Sequence, residues 1–259
     1  MLLERPDSRS SEAQIEWDQK EMTFTEHLRE LRNRLMICVA TIAAIGVGMF
    51  YPSIFVIQWM SREYFPGIKL HAFGPADAVG TMFRFSIYSA IVIGLPVILY
   101  QLWMFIVPAI HPKTRKIVYK LLAPSVILAA IGIVFCHYIV IPVVIRGTTY
   151  LTGLIATETY GIGSTLNFLL ILFLAFALIF QLPMVLIMLA RVGLVSSRSL
   201  RTYRRYAIMA SLLIGGVAAP DGQPTTMMLM AAPLFVLYEA SIWVILLLER
   251  SWQHESSSA

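Results

Sequence analysis

The stretch Glu26-His-Leu-Arg-Glu30-Leu-Arg-Asn-Arg34-Leu35 ends where a long apolar run begins, and its reading decides that of the whole chain. At helical spacing Leu28, Leu31 and Leu35 share one face, while His27, Glu30 and Arg34 share another. Thr23, with Glu26 three residues later, forms a capping box that sets the helix start just before the block. Arginines ahead of a first membrane span are ordinary topology markers, and Glu30–Arg34 is an ordinary i,i+4 pair. The glutamate is not explained that way, because an anionic lipid surface favours only bases. A carboxylate inside a basic collar suits a receptor for guanidinium groups, which it grips through bidentate, charge-assisted hydrogen bonds.

Composition places the chain in a membrane. Its 259 residues are 58% hydrophobic and 14% charged, with a mean hydropathy of +0.74. Soluble domains carry roughly 45–50% apolar and about 25% charged residues. The excess lies in long runs, not in periodic stripes. The first 25 residues are polar and of mixed charge with no apolar core, so no cleavable signal peptide is expected. Cys38 and Cys136 fall inside apolar runs, which favours buried thiols over a disulfide or metal site. No cofactor is implied, and no His-Glu-x-x-His, Gly-x-Ser-x-Gly or acid cluster supports an enzyme. Nothing points to nucleic acid.

Six spans are expected, at Leu35–Phe55, Thr81–Phe105, Val118–Val144, Leu166–Leu189, Tyr206–Ala219 and Thr226–Leu248. All but the fifth are long enough to cross ~30 Å of hydrocarbon. The fifth offers roughly 20 Å of apolar helix from Ala207 to Ala219. Its link to the sixth, Pro220-Asp221-Gly222-Gln223-Pro224, is a tight turn. Sixteen of the 20 Lys and Arg residues lie in the N-terminal tail, the two-to-three and four-to-five connections and the C-terminal tail; Arg62, Lys69 and Arg146 lie opposite. Both termini are therefore expected in the cytoplasm. The expected organisation is a polar tail over 1–22, a membrane domain over 23–249 and a short tail over 250–259. No internal repeat is visible.

Two further blocks join the first. Pro96-Val-Ile-Leu-Tyr100-Gln-Leu-Trp103-Met-Phe105-Ile-Val-Pro108-Ala closes the second span, and on its own reads as a proline-bearing helix with Tyr100, Trp103 and Phe105 as an interfacial aromatic belt. Ala219-Pro220-Asp221 precedes a run ending Leu237-Tyr238-Glu239. Together the three blocks resemble the TatC family, the polytopic subunit of the twin-arginine protein translocase, over Thr23 to about Leu248. The resemblance implies six helices in a concave bundle and a location in the cytoplasmic (inner) membrane. It implies a docking site for twin-arginine signal peptides at Glu30, Leu31, Arg32 and Phe105, with Thr114 at a second contact position. It implies Gln181, Pro220, Asp221, Thr225 and Glu239 at cavity or partner positions. It also implies single-span partners of the TatA and TatB type, self-association in a lipid-embedded complex, and export driven by the proton-motive force.

The chain departs from the family in three places. Thr114 and Gln181 stand where many members carry glutamate, and Thr225 stands where a glutamine is frequent. The anionic receptor thus rests on Glu30 alone, or borrows Glu21 or Glu26. Glu239 falls near the middle of the sixth span, where an ionisable group costs at least ~2.5–3.5 kcal/mol, so it should face protein or water. Gln101, Gln181, His137 or another subunit would be its partner. The alternative reading is an ion-coupled small-molecule transporter using Glu239, disfavoured by the missing repeats and the few acids in the spans.

Overall fold

The computed structural model describes residues 24–68, 70–106, 115–153, 159–191, 193–218 and 224–257. Thr23 of the capping box, Glu21, Thr114 and the Pro220-Asp221 turn lie outside the described residues. Among those described, regular structure is helical throughout. The only extended pairing is a single bridge, where His71 N donates to Tyr160 O and Ile162 N donates to His71 O, both at 2.9 Å.

Helix α1 spans Phe24–Phe50 and packs against α3, Asp77–Ile106. The expected first span ran on to Phe55, but Pro52 lacks the N–H that would reach back to Gly48. A turn at Tyr51-Pro52 therefore intervenes, and a separate helix α2 follows over Ser53–Tyr64. Helix α4, Arg115–Phe135, passes through a π-helical turn at Cys136–Val140 into α5, Ile141–Gly153. That turn is where α2 is fastened. Tyr64 Oη lies 2.5 Å from His137 Nδ1, and Trp59 stacks on the same imidazole. Burial pushes the Tyr64 hydroxyl above its ordinary pKa, which keeps it a proton donor.

The expected fourth span is interrupted. Helix α6, Ile162–Ile179, and α7, Leu182–Arg191, are separated by a turn at Phe180-Gln181. Pro183 removes the donor that would reach Ile179 O, so the ladder cannot run through. A short helix α8, Ser197–Thr202, precedes α9, Arg204–Ala218, and α10, Pro224–Ser257. Ser196 caps α8 by accepting from Ser199 N at 3.1 Å.

Among the described residues, five segments are long and apolar enough to cross a bilayer: Thr25–Phe50, Asp77–Phe105, Leu122–Tyr150, Ile162–Arg191 and Thr226–Glu249. Helix α9, with 15 residues, reaches only about 22 Å. One apolar cluster gathers Val140, Leu169, Leu172 and Phe176; a second gathers Leu95, Trp103, Met188, Ile242 and Ile245. Gly132 permits the first, because a Cβ there would meet Phe176 O at 2.6 Å. Cys38 and Cys136 are free thiols; Cys136 is buried, as expected, whereas Cys38 is only partly so.

Candidate functional site

The amphipathic start of α1 turns its polar face inward. Leu28, Leu31 and Leu35 are exposed, while His27, Glu30 and Arg34 meet the closing turns of α3. The helices run antiparallel, so His27 stacks on Phe105 at 4.4 Å between ring centroids, and Arg34 lies against Gln101. Arg34 donates from Nη1 to Gln101 Oε1 at 3.1 Å and from Nε to Glu30 Oε1 at 2.9 Å. Its Nη2 also donates to Glu30 Oε1.

Three features of this arrangement matter chemically. Both contacts from Arg34 fall on one carboxylate oxygen, and Glu30 Oε2 is buried without a hydrogen-bond partner among the described residues. An orphaned carboxylate oxygen is costly, and a second guanidinium would satisfy it. Next, the pair opens onto a cavity of about 660 Å³ lined by Glu26, Arg29, Glu30, Asn33, Arg34 and Gln101. Lastly, the cavity wall carries two carboxylates and two guanidinium groups, so it is balanced in charge and not simply anionic. Arg34 occupies in this chain the position of a gripped guanidinium.

Of the residues read from sequence, Glu30 lines the cavity, and Phe105 is brought beside the same helix by its stack on His27. Leu31 and Arg32 are exposed and do not line it. Gln101 and His27 were missed as site members. Their signal was present, since both follow helical spacing from Phe105 and Glu30, but only the helix pairing shows which faces meet. Trp103 is no interfacial anchor: it is 1% exposed, deep in the second apolar cluster.

The cavity and partner positions separate from one another. Gln181 is buried at the α6–α7 break and donates from Nε2 to Ser125 O at 3.0 Å. It therefore ties α4 to the break instead of lining an open cavity. Thr225 lies in the first turn of α10. Glu239 departs most from expectation. Its partner is none of Gln101, Gln181 or His137, but Arg204, whose Nη2 donates to Oε2 at 2.6 Å. Short α9 packs along α10, and that pairing sets its first residue beside Glu239. The neighbouring Tyr238 Oη donates to Leu200 O at 2.8 Å, and Glu249 accepts from Ser197 N at 2.9 Å, so one face of α10 fastens the α8–α9 corner.

The profile of the family described as "Sec-independent protein translocase protein (TatC)" matches residues 26–233. The chain belongs to the TatC family. It is 34% identical to the TatC protein of Aquifex aeolicus over 229 residues, covering 86% of this chain and 94% of that one. It is 31% identical to TatCy of Bacillus subtilis over 240 residues, covering 92% and 94%. The solved structure titled "Crystal Structure of Twin Arginine Translocase Receptor- TatC" superposes with a TM-score of 0.75 at 32% identity, covering 86% of this chain and 99% of the other. This TatC is thus a multi-pass membrane subunit of a Sec-independent protein translocase.

Within a TatC the Arg204–Glu239 pair reads as a structural tie between α9 and α10. Arg204 is 47% and Glu239 22% exposed at the side chain, and Glu239 lies inside the Thr226–Glu249 segment, where a charge left without its partner costs about 2.5–3.5 kcal/mol. Glu239→Gln, which leaves Arg204 without its ion pair, is expected to lower stability by up to that amount and to lower export of a twin-arginine reporter only in proportion to the protein left in the membrane. A thermal melt and a reporter assay check both.

Proposed function

We propose that this TatC is the subunit that reads twin-arginine signal peptides, through the Glu30 cavity and the adjoining His27–Phe105 stack. The observation that carries the reading is Glu30 itself. One oxygen is held by Arg34 and the other is buried without a partner among the described residues, at the edge of a cavity large enough for a side chain. An incoming guanidinium donates to Oε2, or takes Oε1 as Arg34 swings onto Gln101. The apolar part of the leader lies against Phe105. Leu31 and Arg32, exposed on the same turns, then contact the leader or the lipid around it.

Further proposals follow from family membership. The chain crosses the inner membrane six times with both termini in the cytoplasm, α9 serving as a short fifth span. The concave bundle, with Gln181, Pro220, Asp221, Thr225 and Glu239, works with TatA- and TatB-type single-span proteins, self-associates in lipid, and exports folded cargo on the proton-motive force. The transporter reading loses support, because Glu239 is paired with Arg204 and its carboxylate is not free to carry an ion.

The test is binding of a labelled twin-arginine peptide to the purified full chain and to its Glu30 variants. Equal affinity in the variants would remove Glu30 from the site. A companion gain of function uses Thr114, where a glutamate is frequent in the family. Thr114→Glu is expected to tighten binding of the same peptide about three- to tenfold, in the range of one added charge-assisted contact.

A further inference from the structure

A second cavity lies at the other end of the bundle. Gln101 and Arg84 are on the same helix, 17 positions apart, so this end is about 25 Å from the Glu30 cavity. It is an apolar groove of about 200 Å³ between α2, α3, α4 and α6, lined by Trp59, Phe85, Tyr88, Ser89, Leu170 and Phe173 among others. The α3 residues follow one another at helical spacing, so the groove runs along that helix toward the middle of the bilayer. Its polar surface is nearly nil.

Arg84 precedes Phe85, the first α3 residue of the lining, and is not itself part of that lining. It lies one turn from Tyr88 toward the start of α3, inside a segment long and apolar enough to cross the membrane. It is exposed, and among the described residues it makes no ion pair or hydrogen bond. Asp77, the acid nearest in sequence, is already engaged by Phe73 N and Gly74 N at 2.7 and 2.9 Å. On the facing helix, a Cβ at Gly163 would lie 4.0 Å from Arg84 Nη1, which puts the guanidinium beside the first turn of α6. An arginine in an apolar span is normally paired or reaches the lipid interface. Here it meets the positive end of a helix dipole, and among the described residues no acid is paired with it.

We propose that this groove holds one phospholipid of the leaflet opposite the Glu30 collar, its phosphate on Arg84 and one acyl chain along Phe85, Tyr88 and Ser89. The charge next to the lining and the apolar wall itself match the two ends of such a molecule and set it apart from a wholly apolar helix. The phosphate supplies a counter-charge that Arg84 does not receive from the described residues. The chain fills a slot whose walls would otherwise lose their packing contacts.

The full chain, purified in neutral detergent and offered phosphatidylglycerol, should retain one lipid by native mass spectrometry. Arg84→Gln should reduce the retained fraction about tenfold, and Ser89→Phe, which fills the groove, should remove it. Diacylglycerol with the same chains but no phosphate should be held about as weakly as phosphatidylglycerol is by Arg84→Gln. Arg84 is exposed, so that variant carries the test even if Ser89→Phe fails to fold. Equal retention of phosphatidylglycerol and diacylglycerol, equal retention by wild type and Arg84→Gln, or a two-chain species in place of the lipid adduct would overturn the proposal.

Discussion

Glu30→Gln is expected to weaken binding of a twin-arginine peptide by about 10- to 100-fold while leaving the protein folded and inserted. The glutamine keeps the shape and one acceptor, so Arg34 retains a hydrogen bond to it and another to Gln101 Oε1 at 3.1 Å. What disappears is the charge. Hydrogen bonds to charged groups contribute about 1.5–3 kcal/mol, and each 1.4 kcal/mol is tenfold in affinity, which sets the expected range. The loss should come with a change in salt response. Binding by the wild type weakens as ionic strength rises, because the cavity is open to solvent and its ion pairs are screened. Binding by Glu30→Gln should be nearly flat over the same range. A peptide with paired lysines should lose much of its affinity for the wild type and little for the variant, since an ammonium cannot offer the planar fork. Unchanged affinity, or an unchanged salt slope, would place the leader elsewhere on the protein.

Much of this was legible in the residues, for physical reasons. Long apolar runs announce spans whatever their tertiary context, and five of the expected six correspond to segments long enough to cross. The shortness of the fifth was equally plain, since a bounded apolar run fixes helix length. The helix breaks were less visible. Pro52 and Pro183 both remove a donor, yet Pro96, Pro124 and Pro233 sit within continuous helices. Whether a proline ends a helix depends on what its neighbours can satisfy, which is tertiary information. The site divides in the same way. Glu30 stood out because an acid is out of place in a basic collar. Gln101 and His27 did not, because nothing in one helix shows which residue of another will face it. The partner of Glu239 was missed for a related reason: depth counted along a helix says nothing of a short neighbour that delivers a basic residue partway down.

Gly215→Ala is expected to destabilise the protein by about 1–3 kcal/mol, the range for forcing one extra group into a packed interface. The reason is local and backbone in origin. A Cβ at Gly215 would lie 2.6 Å from Met227 O and 3.1 Å from Ala231 N, and neither atom can move without shifting α10. Helix α9 depends on that contact more than a longer span would. At 15 residues it falls short of the hydrocarbon thickness, and its fastenings to α10 include this crossing and the partly exposed Arg204–Glu239 pair. The adjacent position supplies the control. A Cβ at Gly216 would meet Met227 Sδ at 3.5 Å and Cε at 3.6 Å, ordinary contacts with a flexible side chain. Gly216→Ala should therefore be neutral, or stabilising by up to ~1 kcal/mol through helix propensity. Melting temperatures of the two variants in the same detergent would separate by several degrees, with Gly215→Ala the lower and its level in membranes reduced. Equal melting would mean that α9 is not held by this close crossing, and that its position beside α10 is set from the α8 corner, through the contacts of Tyr238 and Glu249.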